Sequence, residues 1–188
     1  MERSWISRGA TVLGLTLIAV LVLSTGMLYA KTAKEIDVSA DAAMDRFKKD
    51  VKGAAEYLKV SKGVLVMPNI TKAGFIVGGQ YGQGALRVSG KSVDYYSMVA
   101  GSIGYQIGAE QYDMVILFMT DEALGRFRSS EGWEAGVDGD VTLIEVGADV
   151  SVETLRSQTP IAGFVFDQKG LMVGVSVKGA KFTKIKAQ

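Results

Sequence analysis

The chain has 188 residues, 48% hydrophobic and 22% charged, with 23 glycines, two prolines and neither histidine nor cysteine. Such a length and apolar content support one folded domain with a sizeable core and argue against disorder. Lacking histidine and cysteine, the chain has no Cys nucleophile, Ser–His triad, imidazole proton shuttle, Cys/His zinc site or disulfide. Its formal net charge of +1 is far from the strong basic field of a general nucleic-acid binder.

Residues 1–30 read as a targeting segment. Arg3 and Arg8 precede the uncharged run "ATVLGLTLIAVLVLSTGMLYA", which ends in the small residue Ala30 before Lys31. A basic start, an apolar stretch and a small-residue site describe an export signal cleaved after Ala30. The run is also long enough to span a bilayer, so an uncleaved anchor over residues 9–30 is the rival reading. Removing Glu2, Arg3 and Arg8 leaves residues 31–188, read as a single domain, formally neutral. An anionic partner must then be met by a local patch.

From Asp37 to Ser61 the spacing predicts one amphipathic helix. Ala40, Ala43, Phe47, Val51, Ala54 and Leu58 form its stripe, and Ser39 is its expected N-cap. Lys48, Lys49, Lys52 and Lys59 lie off the stripe, either as a solvated face or as a basic face for a membrane surface.

Beyond Gly63 the pattern becomes β. "GVLVM" is expected to stop at Pro68, followed by "GFIVGGQY", "YYSMVAGSIGYQIGAE" and "DMVILFM", with a turn at Glu110–Tyr112. "TDEALGRF" predicts a short helix capped by Thr120. "GWEAGVDGDVTLIEVGA" returns to strand, and "IAGFVF" and "GLMVGVSVKG" flank the turn signal "DQKG" as a hairpin. The fold class is therefore α+β: a mainly antiparallel, strongly bent, barrel- or sandwich-like sheet, with the first helix and the short second one packed on it.

The glycine-rich stretch "GFIVGGQYGQG" matches neither G-x-x-x-x-G-K-[ST] nor G-x-G-x-x-G, and no helix pattern follows it, so it is not a phosphate loop. Residues 75–82, 101–108 and 171–178 instead alternate a bulky face with one of Gly, Ser and Gln. Strand glycine permits bending or close approach, and here either curls the sheet or makes a smooth floor for a ligand. Asp138-Gly139-Asp140, Glu131 and Glu134 fall far short of an EF-hand loop and read as a solvated turn.

Four ordered blocks, "VLVMPNITKAGFIVGGQYGQGAL", "GSIGYQIGAEQYDMVILFMTDEAL", "GWEAGVDGDV" and "KGLMVGVSVKG", resemble the SYLF domain from about Ala33 to Gly179. The resemblance implies a lipid-binding class. Fungal and animal members are associated with phosphoinositide membranes and actin regulation, and many bacterial members look like exported envelope proteins. It brings no catalytic motif and no cofactor or metal. Phosphoinositides are not expected in a bacterial envelope, and a lipoprotein anchor would need the cysteine this chain lacks.

The expected function is thus non-enzymatic: binding of an anionic phospholipid or membrane surface in a bacterial envelope or periplasm, without nucleic acid. Lys48, Lys49 and Lys52 form one expected phosphate-facing patch. Lys178, Lys181, Lys184 and Lys186, interleaved with Phe182 and Ile185, form the other unless they line a charged edge strand. The alternative is a structural or protein-interaction module, with Tyr95, Tyr96 and Trp133 at its surface or in its core.

Overall fold

The computed structural model describes residues 31–74, 77–103, 108–148, 150–169 and 175–187. The expected targeting segment, Gly104 and the first half of the expected 171–178 strand lie outside them. Lys31–Gln188 forms one compact unit. Among the described residues no helix is long and apolar enough to cross a membrane.

Among the described residues four helices, α1 (Ala33–Asp50), α2 (Ala54–Val60), α3 (Asp121–Ser129) and α4 (Val152–Gln158), accompany one eight-stranded sheet. Its strands are β1 (Gly63–Gly74), β2 (Val77–Val88), β3 (Lys91–Ile103), β4 (Gly108–Phe118), β5 (Gly132–Glu134), β6 (Thr142–Ile144), β7 (Ile161–Lys169) and β8 (Lys181–Ile185). The order is β5-β8-β3-β2-β1-β4-β7-β6, antiparallel throughout except for β6 beside β7. The fold is α+β with a strongly curled half-barrel sheet.

Alternation along the strands splits the core into two layers. Leu65, Met67, Leu86, Tyr96, Met98, Met114, Ile116 and Phe118 point into the curl, where Phe127 of α3, Trp133 and Phe182 join them. Phe127 centres this layer, its ring 4.6 Å from Tyr96, 4.8 Å from Phe118 and 5.4 Å from Trp133. Val64, Val66, Ala85, Val115, Leu117 and Phe164 face the other way, onto Ile36, Ala40, Ala43 and Phe47 of α1. The curl is tight enough that a Cβ on Gly139 would stand 2.9 Å from Trp133 Cζ2 and 3.3 Å from Ile161 Cδ1, joining the regions of β5 and β7.

The α1 stripe is as expected, but the helix begins earlier. Thr32 is the N-cap, in a capping box with Glu35, while Ser39 lies inside the helix and donates to the Glu35 carbonyl at 2.8 Å. Nor is the helix continuous to Ser61: it ends at Asp50, and Gly53, at φ +82°, starts α2 in a new direction. Tyr57 of α2 stacks on Phe164 at 5.7 Å and donates its hydroxyl to the Val150 carbonyl at 2.6 Å. The cap at Thr120 is confirmed, accepting from the Ala123 amide at 3.1 Å. Helix α4 was not expected; Ser151 caps it and Leu155 is buried beneath it.

Pro68 does not stop β1. The strand runs on to Gly74 through an irregularity at residues 67–70, where proline needs no ladder donor and Asn69 adopts φ +51°. Glu110–Tyr112 is not a turn but part of β4. The turn and first half of the hairpin expected after β7 lie outside the described residues; of the rest, Val175–Val177 are not in a strand, and β8, later in the chain, pairs with β3 and β5.

The glycines on the inner face of β2 serve close approach. A Cβ on Gly84 would strike the Val66 carbonyl oxygen and come within 2.5 Å of Met67 Sδ, and one on Gly82 would lie 2.8 Å from Ile70 Cγ1. Gly101 on β3 has open space around it. Gly84→Val should therefore lower the urea midpoint by the equivalent of about 1–3 kcal/mol or more, since backbone must move. Gly101→Ala should stay within about 0.5 kcal/mol of the parent. Equal midpoints for the two variants would contradict the close β1–β2 approach.

Candidate anion-binding groove

The end of α1, the start of β1 and the β2–β3 turn enclose a groove of about 640 Å³. Ser89 and Gly90 both take positive φ, 52° and 77°, giving a tight hairpin turn whose right-handed twist suits the flanking strands. Met44, Leu58, Val64 and Val88 form an apolar wall, and Lys48, Lys59, Lys62 and Arg87 bring four cations to it. Asp121 is the carboxylate in the lining, 3.3 Å from Lys62 Nζ.

Arg87 is the best-fixed cation. Its side chain is 14% exposed and its Nη2 lies 2.8 Å from Asp41 of α1, while its Nε is buried with no hydrogen-bond partner among the described residues. Asp37, one turn earlier, accepts from Ser92 Oγ at 2.6 Å and from the Tyr95 hydroxyl at 2.9 Å. These bonds clamp α1 to the β2–β3 hairpin. Burial and the Asp37 carboxylate push the Tyr95 hydroxyl pKa upward.

Of the expected lysines, Lys48 lines this groove, 3.9 Å from Asp45, whereas Lys49 and Lys52 are exposed outside its lining. The later lysines are distributed differently. Lys178 covers Gly136, Lys181 lies over Gly132, and Lys186 is exposed beyond β8. Lys184 is 3.0 Å from Asp94, which also pairs with Arg128 at 3.1 Å, and its Nζ sits 5.9 Å from the Tyr96 ring centre. None of the four lines the groove. Nor is β8 an edge strand, since β5 covers it at Gly132–Glu134. Sequence reasoning missed Lys62 and Arg87 as site residues. The one signal was the Ser89-Gly90 turn, which marks where β2 ends and Arg87 reaches α1.

Tyr96 and Trp133 are core residues, and Tyr95 is half-buried. The Asp138 carboxylate accepts from the Glu134 amide at 2.7 Å, a turn contact. Among the described residues no carboxylate cluster is arranged to hold a metal.

A second polar group lies inside the curl. Lys72 of β1 is flanked in register by Gln80 of β2 and Glu110 of β4, and all three are buried. The Tyr112 hydroxyl donates to Gln80 Oε1, and burial pushes its pKa upward. Lys72 Nζ is 3.9 Å from Glu110 Oε2, which has no hydrogen-bond partner among the described residues. A buried pair so loosely closed recovers little of its desolvation cost. Glu110→Leu alone should destabilise by about 3–5 kcal/mol, because it strands the ammonium, while Lys72→Met with Glu110→Leu should be neutral or stabilising. Thermal melts of the single and double variants check this; a double variant as unstable as the single would overturn it.

Residues 99–187, from β3 through β8, match the family model described as Ysc84, Las17-binding protein actin regulator. That segment, just under half of the chain, is consistent with a SYLF-domain protein. A search of the curated proteins found no match. The part of the SYLF domain matched supplies β4, β7 and β8, together with α3 and α4. The groove cations Lys48, Lys59, Lys62 and Arg87 all precede the matched segment.

Proposed function

We propose that this protein is an exported, non-enzymatic binder of anionic phospholipid or of an anionic membrane surface in a bacterial envelope, acting through local cations and not through net charge. The observation that carries the reading is the groove, where four cations stand beside an apolar wall. That combination suits an amphiphile with an anionic head. The match of residues 99–187 to that family model supports a binding role. The matched family is described as a Las17-binding actin regulator, which favours, as the second reading, a protein-interaction module indifferent to lipid.

Cosedimentation with vesicles of phosphatidylcholine and phosphatidylglycerol separates the two. At about 1 kcal/mol per cation near the surface, Lys48→Gln, Lys59→Gln and Lys62→Gln together should weaken binding by roughly two orders of magnitude. Lys49→Gln with Lys52→Gln should cost less, and raised salt should weaken the parent through the same screening. Binding that ignores both salt and phosphatidylglycerol content would favour the second reading.

Export is part of the proposal. The mature chain should begin at Lys31 in the soluble envelope fraction, as read by N-terminal sequencing. Intact Met1 in the membrane fraction would mean an anchor instead.

A further inference from the structure

The basic groove carries its own counter-ions. Lys48 stands 3.9 Å from Asp45, Lys62 3.3 Å from Asp121, and Arg87 Nη2 2.8 Å from Asp41. Of the four cations in the lining, Lys59 alone forms no ion pair with a described residue. Four positive charges and three carboxylates therefore share this corner of the fold, with an excess of one positive charge. The carboxylates stand in the open: the side chains of Asp41, Asp45 and Asp121 are 68%, 82% and 82% exposed. Exposed pairs of this kind hold each other weakly, so the lysines can turn toward a phosphate. The carboxylate charges stay nearby, well inside the ~8–10 Å over which salt screens.

We propose that the groove selects a lipid whose head carries a single negative charge, a phosphodiester with no further ionised group, and that Asp45 and Asp121 set this choice. The proposal rests on the reading of the groove as a phospholipid site. A diester brings one charge to one unmatched cation. A phosphate monoester, or a head with a second phosphate, brings its extra charge against carboxylates already in place. Like charges so close reject a partner that the cations alone would accept. The neutral part of the lining suits the rest of a diester head. At about 640 Å³ the groove lies in the size range of small-molecule sites and has room beyond the phosphate itself. Ser61 and Ser89 add hydroxyls without adding charge, and the apolar wall takes the glyceride portion. Asp41 contributes to the same field, but it also ties Arg87 to α1. Asp45 and Asp121 are therefore the pair whose neutralisation changes the charge without loosening that clamp.

The test is cosedimentation of the protein beginning at Lys31, a compact unit by itself, with phosphatidylcholine vesicles that contain either phosphatidylglycerol or phosphatidate. At pH 8 a phosphate monoester carries nearly two charges. Vesicle contents are adjusted to equal zeta potential, so that long-range attraction is the same for both lipids. The parent should bind the phosphatidylglycerol vesicles at least about threefold more tightly. Asp45→Asn with Asp121→Asn should tighten binding to phosphatidate by about tenfold, and to phosphatidylglycerol by less, with an unchanged circular dichroism spectrum. A parent that binds phosphatidate as tightly as phosphatidylglycerol would overturn the proposal while leaving the groove a lipid site. So would a double variant whose ratio between the two lipids is unchanged. Failure to sediment with either lipid would overturn both this inference and the phospholipid reading beneath it.

Discussion

The arrangement of α1 against the sheet turns on one guanidinium. Arg46 places Nη2 2.6 Å and Nε 2.8 Å from Asp113, a carboxylate only 1% exposed in the middle of β4. The other oxygen of Asp113 accepts from the Asn69 amide at 2.8 Å, where β1 breaks register after Pro68. The same Arg46 lies 3.1 Å from Asp167, at the second irregularity, on β7. One helix side chain thus meets the central strand and the distorted backbone on both sides of it. A charge as deep as that of Asp113 persists only because it is paired and hydrogen-bonded. With that satisfied, Phe47, one residue on, packs its ring 5.3 Å from Phe164 and 5.5 Å from Phe166.

Curvature then distributes the chemistry. Bulges and the backbone approach at Gly84 bend the long strands until residues from both ends of the sheet share the inner core. Apolar side chains fill that interior, leaving one polar row at Gln80, Lys72 and Glu110. Two grooves lie at the margins of the sheet: the basic one between α1, α2 and the β2–β3 turn, and one lined by Asp50, Glu145 and Asp167 beside β6 and β7. Cations gather at one and carboxylates at the other, although the body is neutral overall. A net-charge argument is blind to such separation.

Much of this was legible in the residues. The stripe through Ala40, Ala43 and Phe47, the strand text of β1 and β4 and the cap at Thr120 all report local rules, and local rules held. Failures came where tertiary contacts outvoted them. Glu110 and Gln111 read as a turn because charged and amide residues interrupt an apolar run, yet the β1–β4 ladder carries Glu110 inside, in register with Lys72. Pro68 read as a terminator because the Asp113 carboxylate that stabilises the bulge beside it lies 44 positions along the chain from Asn69. The groove was half visible. Lys48 lay on an obvious helix face, but Arg87 belongs to it only because the Asp41 carboxylate of α1 fixes it there, and no periodicity shows that.

The placement of β8 also governs when the fold can be completed. It lies between β3 and β5, and the bond from Ser97 Oγ to the Thr183 carbonyl spans 86 residues. Phe182, fully buried in the inner core, arrives with it. During synthesis β3 has no neighbour on that side until β8 emerges, and pairings so distant in sequence form slowly. The chain is consequently held open, with its inner face unsealed, for as long as translation takes to reach β8. Until then the half-barrel is two strand edges short of complete: β3 waits for β8, β5 has no partner to pair with, and the inner core lacks Phe182.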